Sequence, residues 1–151
     1  MARKSFYLDT CIWLNLFKKE HDLAGNIPLW KTAKDFIETV MFSESDEIIY
    51  SGFVLKEIKY KLKNKDEFAE KLQFLRKEEK FRFEPAHHED YNFARKLESE
   101  SGFKLSFYDC LHIAMCKRLS LILVTRDKEL IKLAERFIET GLPESFIPKK
   151  S

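Results

Sequence analysis

Four carboxylates stand at four separated points of the chain, each beside an apolar run. Asp9 closes Phe6-Tyr7-Leu8, Glu57 lies within Phe53-Val54-Leu55-Lys56-Glu57-Ile58, Asp109 lies within Phe107-Tyr108-Asp109-Cys110-Leu111-His112-Ile113-Ala114, and Asp127 follows Leu123-Val124-Thr125-Arg126. Surface charge needs no such placement. Carboxylates that share a site raise one another's pKa and are costly to ionise together, so a cluster of them calls for a cation. An oxygen-only donor set favours Mg²⁺ or Mn²⁺ over Zn²⁺. The expected chemistry is metal-assisted, provided the fold brings the four acids together.

Each acid also has an ordinary structural explanation. Asp9 with Thr10, and Thr125 or Asp127, stand where helices open, and such residues cap helices. Glu57 has Lys61 four residues on, the spacing of a surface ion pair. Asp109 resists this treatment. At about 100° per residue, Phe107, Cys110, Leu111, Ala114 and Met115 share one face, while Ile113 and Cys116 lie beside Asp109. A helix apolar on both sides is a buried helix, and buried aspartates are rare unless paired or metal-bound. Two rival sites fail on geometry. Cys110, His112 and Cys116 are zinc-ligand types, but Cys110 points away from the other two on a helix, so no tetrahedral site forms. Ser106, Asp109 and His112 cannot be aimed at one point from a single helix, which excludes a hydrolytic triad.

The elements that must position the acids alternate between strand and helix. Patterning and turn residues predict strands over Ser5–Leu8, Glu47–Tyr50, Phe81–Phe83 and Leu121–Val124, with a last edge strand over Ser145–Ile147. They predict helices over Thr10–Lys19, Pro28–Phe42, Phe53–Leu62, Glu67–Lys77, His87–Glu100, Ser106–Arg118 and Asp127–Ile138, with Gly102 ending one of them. Alternation of this kind implies crossover connections and a parallel sheet covered on both faces. Sites in such sheets form at the carboxyl ends of the strands. Asp9 ends the first strand and Asp127 lies just past the fourth, which makes them expected neighbours.

The chain of 151 residues has the size of one domain with a full core, and 1–151 is read as a single unit. With 44% hydrophobic and 34% charged residues it is not a disordered chain. A net charge of +2 does not announce a nucleic-acid binder, so any basic surface must come from clustering. Three cysteines within or beside apolar runs fit buried, reduced thiols in a cytoplasmic protein. No run approaches the ~18 apolar residues of a membrane span. Asp9 and Asn15 interrupt the N-terminal apolar stretch, so a signal peptide is not expected.

The four blocks, in this order and spacing, resemble the PIN domain family, the metal-dependent ribonucleases that include VapC-type toxins. The resemblance spans nearly the whole chain. The family opens with a strand ending in Asp-Thr and an apolar helix, as Tyr7-Leu8-Asp9-Thr10-Cys11-Ile12-Trp13-Leu14 does here. Its second acid sits on a helix after a second strand, as in Ser51 through Glu57. Its third lies in a block like Tyr108-Asp109-Cys110-Leu111-His112-Ile113-Ala114, and its fourth follows Leu-Val-Thr-x, as in Leu123-Val124-Thr125-Arg126-Asp127.

The resemblance implies a three-layer α/β/α sandwich with a central parallel sheet. It implies hydrolysis of RNA with Asp9, Asp109 and Asp127 holding Mg²⁺ or Mn²⁺, and Glu57 completing the pocket. Thr10 and Thr125 would brace the carboxylates, and Lys56, Lys59, Lys61, Arg126 and Lys128 would meet phosphates. It also implies a homodimer and an antitoxin protein as partner, although a housekeeping RNA-processing nuclease or a non-catalytic scaffold would share the fold. One departure concerns the auxiliary aspartate that many members carry two residues after the fourth acid. Glu129 stands there in this chain. A haloacid-dehalogenase-type phosphatase also begins with a strand and an aspartate, but it needs a second one two residues on, where this chain has Cys11.

Overall fold

The computed structural model describes residues 3–149. Strands β1 (Ser5–Leu8), β2 (Glu47–Tyr50), β3 (Phe81–Phe83), β4 (Ile122–Val124) and β5 (Thr140–Gly141) form one sheet in the order β3-β2-β1-β4-β5. Every pairing is parallel. Parallel strands covered on both faces read as unbroken apolar runs rather than alternating ones. Phe6-Tyr7-Leu8, Ile48-Ile49-Tyr50 and Ile122-Leu123-Val124 are such runs, and all nine residues are buried.

The helices are α1 (Thr10–Phe17), α2 (Leu29–Phe42), α3 (Gly52–Leu62), α4 (Lys65–Lys77), α5 (His88–Glu100), α6 (Phe107–Leu119) and α7 (Lys128–Ala134). They sandwich the sheet in three layers. Side chains from the preceding turns cap most of them: Asp9 caps α1, Ser51 α3, Asn64 α4, Ser106 α6 and Asp127 α7. Each cap satisfies an N–H that the first helical turn leaves open. Past α5 the chain turns through Gly102 at φ +68°, a left-handed conformation that glycine adopts without steric cost. No helix among the described residues is long and apolar enough to cross a membrane.

The winding runs outward from β1 through β2 to β3, then returns to place β4 on the other side of β1. The boundary between β1 and β4 is therefore the switch point of the sheet, where a crevice opens at the strand ends. Asp9 N–H donates to the Val124 carbonyl across that boundary at 2.9 Å.

Two sequence expectations fail at the C-terminal end. The fifth strand is not Ser145–Ile147 but Thr140–Gly141, which pairs with Leu123 and Val124. Pro143–Phe146 forms a 3₁₀ helix instead. Pro143 opens that helix without needing an N–H partner. Phe146 then turns inward to meet Phe6 and Phe36 edge-on, with centroids 5.5 and 6.3 Å away. The last helix stops at Ala134 rather than at Ile138. Phe137 leaves the helical path to pack edge-on against Phe93, with centroids 5.5 Å apart. The aromatic residues of the first third are also better hidden than their number suggests. Trp13 and Phe36 are fully buried, Phe17, Trp30 and Phe53 partly so, and Phe42 is exposed.

A buried acid locks the end of the sheet remote from the crevice. Glu47 accepts from Ser5 Oγ at 2.7 Å and from Arg82 Nε and Nη2 at 3.1 and 3.2 Å, and pairs with Arg3 at 2.5 Å. Burial alone would raise the Glu47 pKa, but the bonds from Arg82, Ser5 and Arg3 outweigh it and bring it down to about 2. A pKa lowered on folding contributes stability that is present above the unfolded value near ~4.3 and is lost as pH falls toward the folded one. Glu47→Gln should therefore lower unfolding free energy at pH 7 by about 1–2 kcal/mol. The gap between wild type and variant should close as urea titrations are repeated from pH 5 down to about pH 2.

Candidate active site

Asp9 stands between β1 and β4 with its carboxylate fixed at both oxygens. Oδ1 accepts from Thr10 N–H at 2.8 Å, and Oδ2 accepts from Thr125 Oγ1 at 2.8 Å and from the Cys11 thiol at 3.5 Å. Burial and the Asp9 charge push the Cys11 thiol up to about 12, so it stays protonated. Asp9 itself is only 8% exposed.

Glu57 reaches the same place from α3. Its Oε1 accepts from Thr10 Oγ1 at 2.8 Å and faces His112 Nε2 of α6 at 3.1 Å. His112 Nε2 also lies 3.8 Å from Asp9 Oδ1. The other ring nitrogen, Nδ1, is 2.7 Å from Tyr7 Oη, which is 2.7 Å from Ser51 Oγ, and Ser51 Oγ also accepts from Val54 N–H. Burial disfavours a charged imidazole, but the Glu57 hydrogen bond and the charges of Asp9, Glu57 and Asp109 outweigh it, and the His112 pKa is raised. Burial likewise works against a charged Glu57, yet His112, Thr10 and Lys61 bring its pKa below the usual carboxylate value. The two shifts agree in direction: each group favours the charged form of the other.

Asp109 lies one turn before His112 on the same helix, where residues three apart share a face. It is half-buried and completes a capping box with Ser106. Burial and the charge of Asp9 raise its pKa, outweighing the opposite pull of His112 and Ser106. Asp109 thus feels the charge of Asp9. Asp127 is placed differently. It is exposed, and its Oδ1 is taken up by the N–H groups of Glu129 and Leu130 at the start of α7. It reaches Asp9 through Thr125, whose Oγ1 accepts from Asp127 N–H at 3.1 Å and donates to Asp9.

Among the described residues no three His, Cys, Asp or Glu side chains are grouped to hold an ion by themselves. The donor set nonetheless fits a hydrated cation of the Mg²⁺ kind, which binds through one or two carboxylates and keeps several waters. Asp9 and Asp109 offer oxygen donors only, and the charge of one raises the pKa of the other, a cost that a cation between them would relieve.

The expected auxiliary residues divide. Thr10 and Thr125 brace Glu57 and Asp9. Lys56 and Lys61 line a cavity together with Glu57. Lys59 instead sits 6.0 Å over the Phe68 ring, in a separate depression with Lys63 and Lys65. The Arg126 guanidinium is engaged by Asn15 at 3.2 Å and Glu144 at 3.3 Å. Lys128 and Glu129 are exposed on the first turn of α7, and Glu129 borders a hollow with Lys104, Lys132 and Arg136. Sequence reasoning missed His112, Tyr7 and Ser51 as members of the site. Their one local signal is that each is a polar group inside or beside an apolar run, and that His112 follows Asp109 by three residues.

Residues 6–136 match the family model described as PIN domain. No curated protein sequence matches the chain. Similar solved structures number 37 chains. VapBC2 from Rickettsia felis, bound to a DNA fragment from its promoter, is 19% identical, covers 91% of this chain and 98% of its own, and superposes with a TM-score of 0.66. VapC20 from Mycobacterium tuberculosis, a toxin that cleaves the sarcin-ricin loop, is 19% identical over 89% of this chain and 97% of its own, with a TM-score of 0.63. FitAcB from Neisseria gonorrhoeae is 15% identical over 92% and 98%, with a TM-score of 0.65. At these identities the likeness is one of fold.

The repulsion between Asp9 and Asp109 has a measurable consequence. Asp109→Asn keeps an acceptor for the Ser106 N–H and removes a charge that the metal-free site holds at a cost. Thermal melts in EDTA at pH 7 should show the variant unfolding about 2–4 °C above wild type. A clear fall in melting temperature would identify Asp109 as a stabilising hydrogen-bond partner instead.

Proposed function

This chain belongs to the PIN domain family, and on that premise we propose that it is a Mg²⁺- or Mn²⁺-dependent ribonuclease that hydrolyses RNA phosphodiester bonds. The observation that carries the reading is the Asp9 carboxylate at the β1–β4 switch point, held by Thr125 and linked through Thr10 to Glu57, with Asp109 near enough for the Asp9 charge to raise its pKa. Asp9 and Asp109 would hold the ion, and Asp127, tied to Asp9 through Thr125, would contribute at the rim. The chemistry such an ion supplies when bound is activation of water and neutralisation of phosphoryl charge. Glu57 is kept deprotonated by His112, Thr10 and Lys61, so it is ready to orient the attacking water and take its proton. His112 is a positioning residue: it fixes the Glu57 carboxylate and is itself fixed by Tyr7 and Ser51. Water attacks phosphorus, the bond to the leaving ribose oxygen breaks, the proton released by the water passes to Glu57, and the leaving oxygen takes a proton from solvent.

The toxin role within a toxin–antitoxin pair is the finer part of the proposal. VapBC and FitAcB neighbours supply the precedent. A groove of about 330 Å³ between α1, α2 and α4, lined by Leu16, Ile37, Met41, Phe74 and Phe81 with Lys34, Glu38 and Glu78 at its sides, suits an amphipathic antitoxin segment. We place the protein in the cytoplasm, as a homodimer, with an antitoxin encoded next to it. A housekeeping RNA-processing role would keep the nuclease and lack the antitoxin, so co-purification with the product of an adjacent gene separates the two.

The test of hydrolysis is cleavage of end-labelled RNA by purified protein. Activity should require Mg²⁺ or Mn²⁺, disappear in EDTA and be abolished by Asp9→Asn. His112→Gln, which keeps a donor toward Glu57, should cost about 10–100-fold, as expected for a group that orients a working side chain. Full activity in chelator would refute the mechanism.

A further inference from the structure

Resting on the nuclease reading, we propose that Tyr60 and Tyr108 form a stacking platform that holds one unpaired RNA base beside Glu57. The two rings border a cavity of about 390 Å³ whose other walls are Lys56, Glu57 and Lys61. A cavity of that size lies within the range of small-ligand sites, and its position next to a site carboxylate puts an occupant beside the reacting phosphate.

The two tyrosines are held differently. Tyr60, on the last turns of α3, is 74% exposed. Tyr108, next to Asp109, is half-buried and braced from behind: its ring lies 5.4 Å from Phe53 and 6.4 Å from Phe107, and Phe53 rests on Tyr91 at 5.8 Å. One wall is thus set by an aromatic cluster spanning α3, α5 and α6, and the other is free to close on an occupant. Stacking between aromatic rings tolerates any base, because every base has a π-face.

The charges favour nucleic acid over protein. Lys56 and Lys61 flank Tyr60 on α3, so their stems line the cavity while their ammonium groups can meet the phosphates on either side of the held base. They also offset the repulsion that the acidic pocket exerts on a polyanion. A second copy of this chain seated here would have to desolvate Lys56, Lys61 and Glu57 together, which is costly unless each is paired. Duplex RNA buries its base faces in the helix and cannot offer one to the platform.

The test is fluorescence anisotropy with a short fluorescein-labelled RNA, single-stranded or annealed to its complement, in the Asp9→Asn background so that the probe stays intact. The parent should bind the single strand at least about tenfold more tightly than the duplex. Adding Tyr60→Ala should weaken single-strand binding about tenfold. Tyr60→Phe should restore it, because stacking needs the ring and not the hydroxyl. Phe42→Ala, an exposed ring on α2, should leave it unchanged. Equal binding by Tyr60→Ala and its parent, or equal affinity for duplex and single strand, would overturn the platform. Conversion of a dimer to a monomer by Tyr60→Ala with RNA affinity unaltered would overturn it in favour of a self-association face. If wild type leaves RNA uncut in Mg²⁺ and Mn²⁺ while binding still depends on Tyr60, hydrolysis falls and the platform stands.

Discussion

The hydrogen bond from Thr125 Oγ1 to Asp9 Oδ2, at 2.8 Å, ties together the ends of β1 and β4 at the point where the winding of the sheet reverses. Most of the site is referred to that bond. It sets the orientation of the Asp9 carboxylate, whose other oxygen caps α1 through Thr10 N–H. Thr10, held at the first position of α1, turns its hydroxyl to Glu57. Thr125 in turn receives Asp127 N–H, and Asp127 starts α7. Two threonines at strand ends thereby link the carboxylates of Asp9 and Glu57 and the backbone of Asp127.

Negative charge at this point has to be balanced inside the protein. Asp9 is nearly buried and Asp109 and Glu57 are half-buried. The fold answers with a histidine that is 1% exposed, placed between Tyr7 and Glu57 and raised in pKa by the acids around it. Breaking such a pair leaves an uncompensated charge in a poorly solvated place, which costs far more than the pair itself contributes. One histidine cannot balance three acids, and Asp109 has its pKa raised by burial and by the charge of Asp9. A divalent cation, as the proposed mechanism requires, would relieve that excess of negative charge. At the far end of the sheet, Glu47 faces the opposite situation, with two arginines and a serine for one carboxylate. The two ends of the strands differ in whether their acids are satisfied, and that difference separates the structural end from the one that carries the candidate site.

The local settings of the four acids could be read from the chain because each depends on near neighbours. Asp9 and Asp127 follow apolar runs that end as strands, and both cap the helix that comes next. Asp109 sits on a helix whose apolar residues surround it, and it is half-buried as that pattern requires. Continuous apolar runs specified the central strands, and the helix starts expected at Pro28, Phe53, Glu67 and Ser106 lie within two residues of those observed at Leu29, Gly52, Lys65 and Phe107. These signals act over a turn or a strand length, so a single sequence contains them.

What the sequence could not specify were contacts closed by the order of the strands. His112 meets Tyr7 across 105 positions and Glu57 across 55, so its place in the site follows only once β1, α3 and α6 are assembled. Arg126 looked like a phosphate ligand beside Asp127, but Asn15 and Glu144, 111 and 18 residues away, engage it. The C-terminal segment was misread because its β propensity is weak and its aromatic residues decide the path. Phe137 and Phe146 find partners on Phe93, Phe6 and Phe36, and the strand falls between them at Thr140–Gly141. The sequence by itself determined the element types as far as the C-terminal segment, their parallel-sheet class and the local settings of Asp9, Asp109 and Asp127, since periodicity and capping are local. Tertiary structure alone decided which acids feel one another, which cation balances them and which lysines face the crevice, since those depend on side chains brought together from distant parts of the chain.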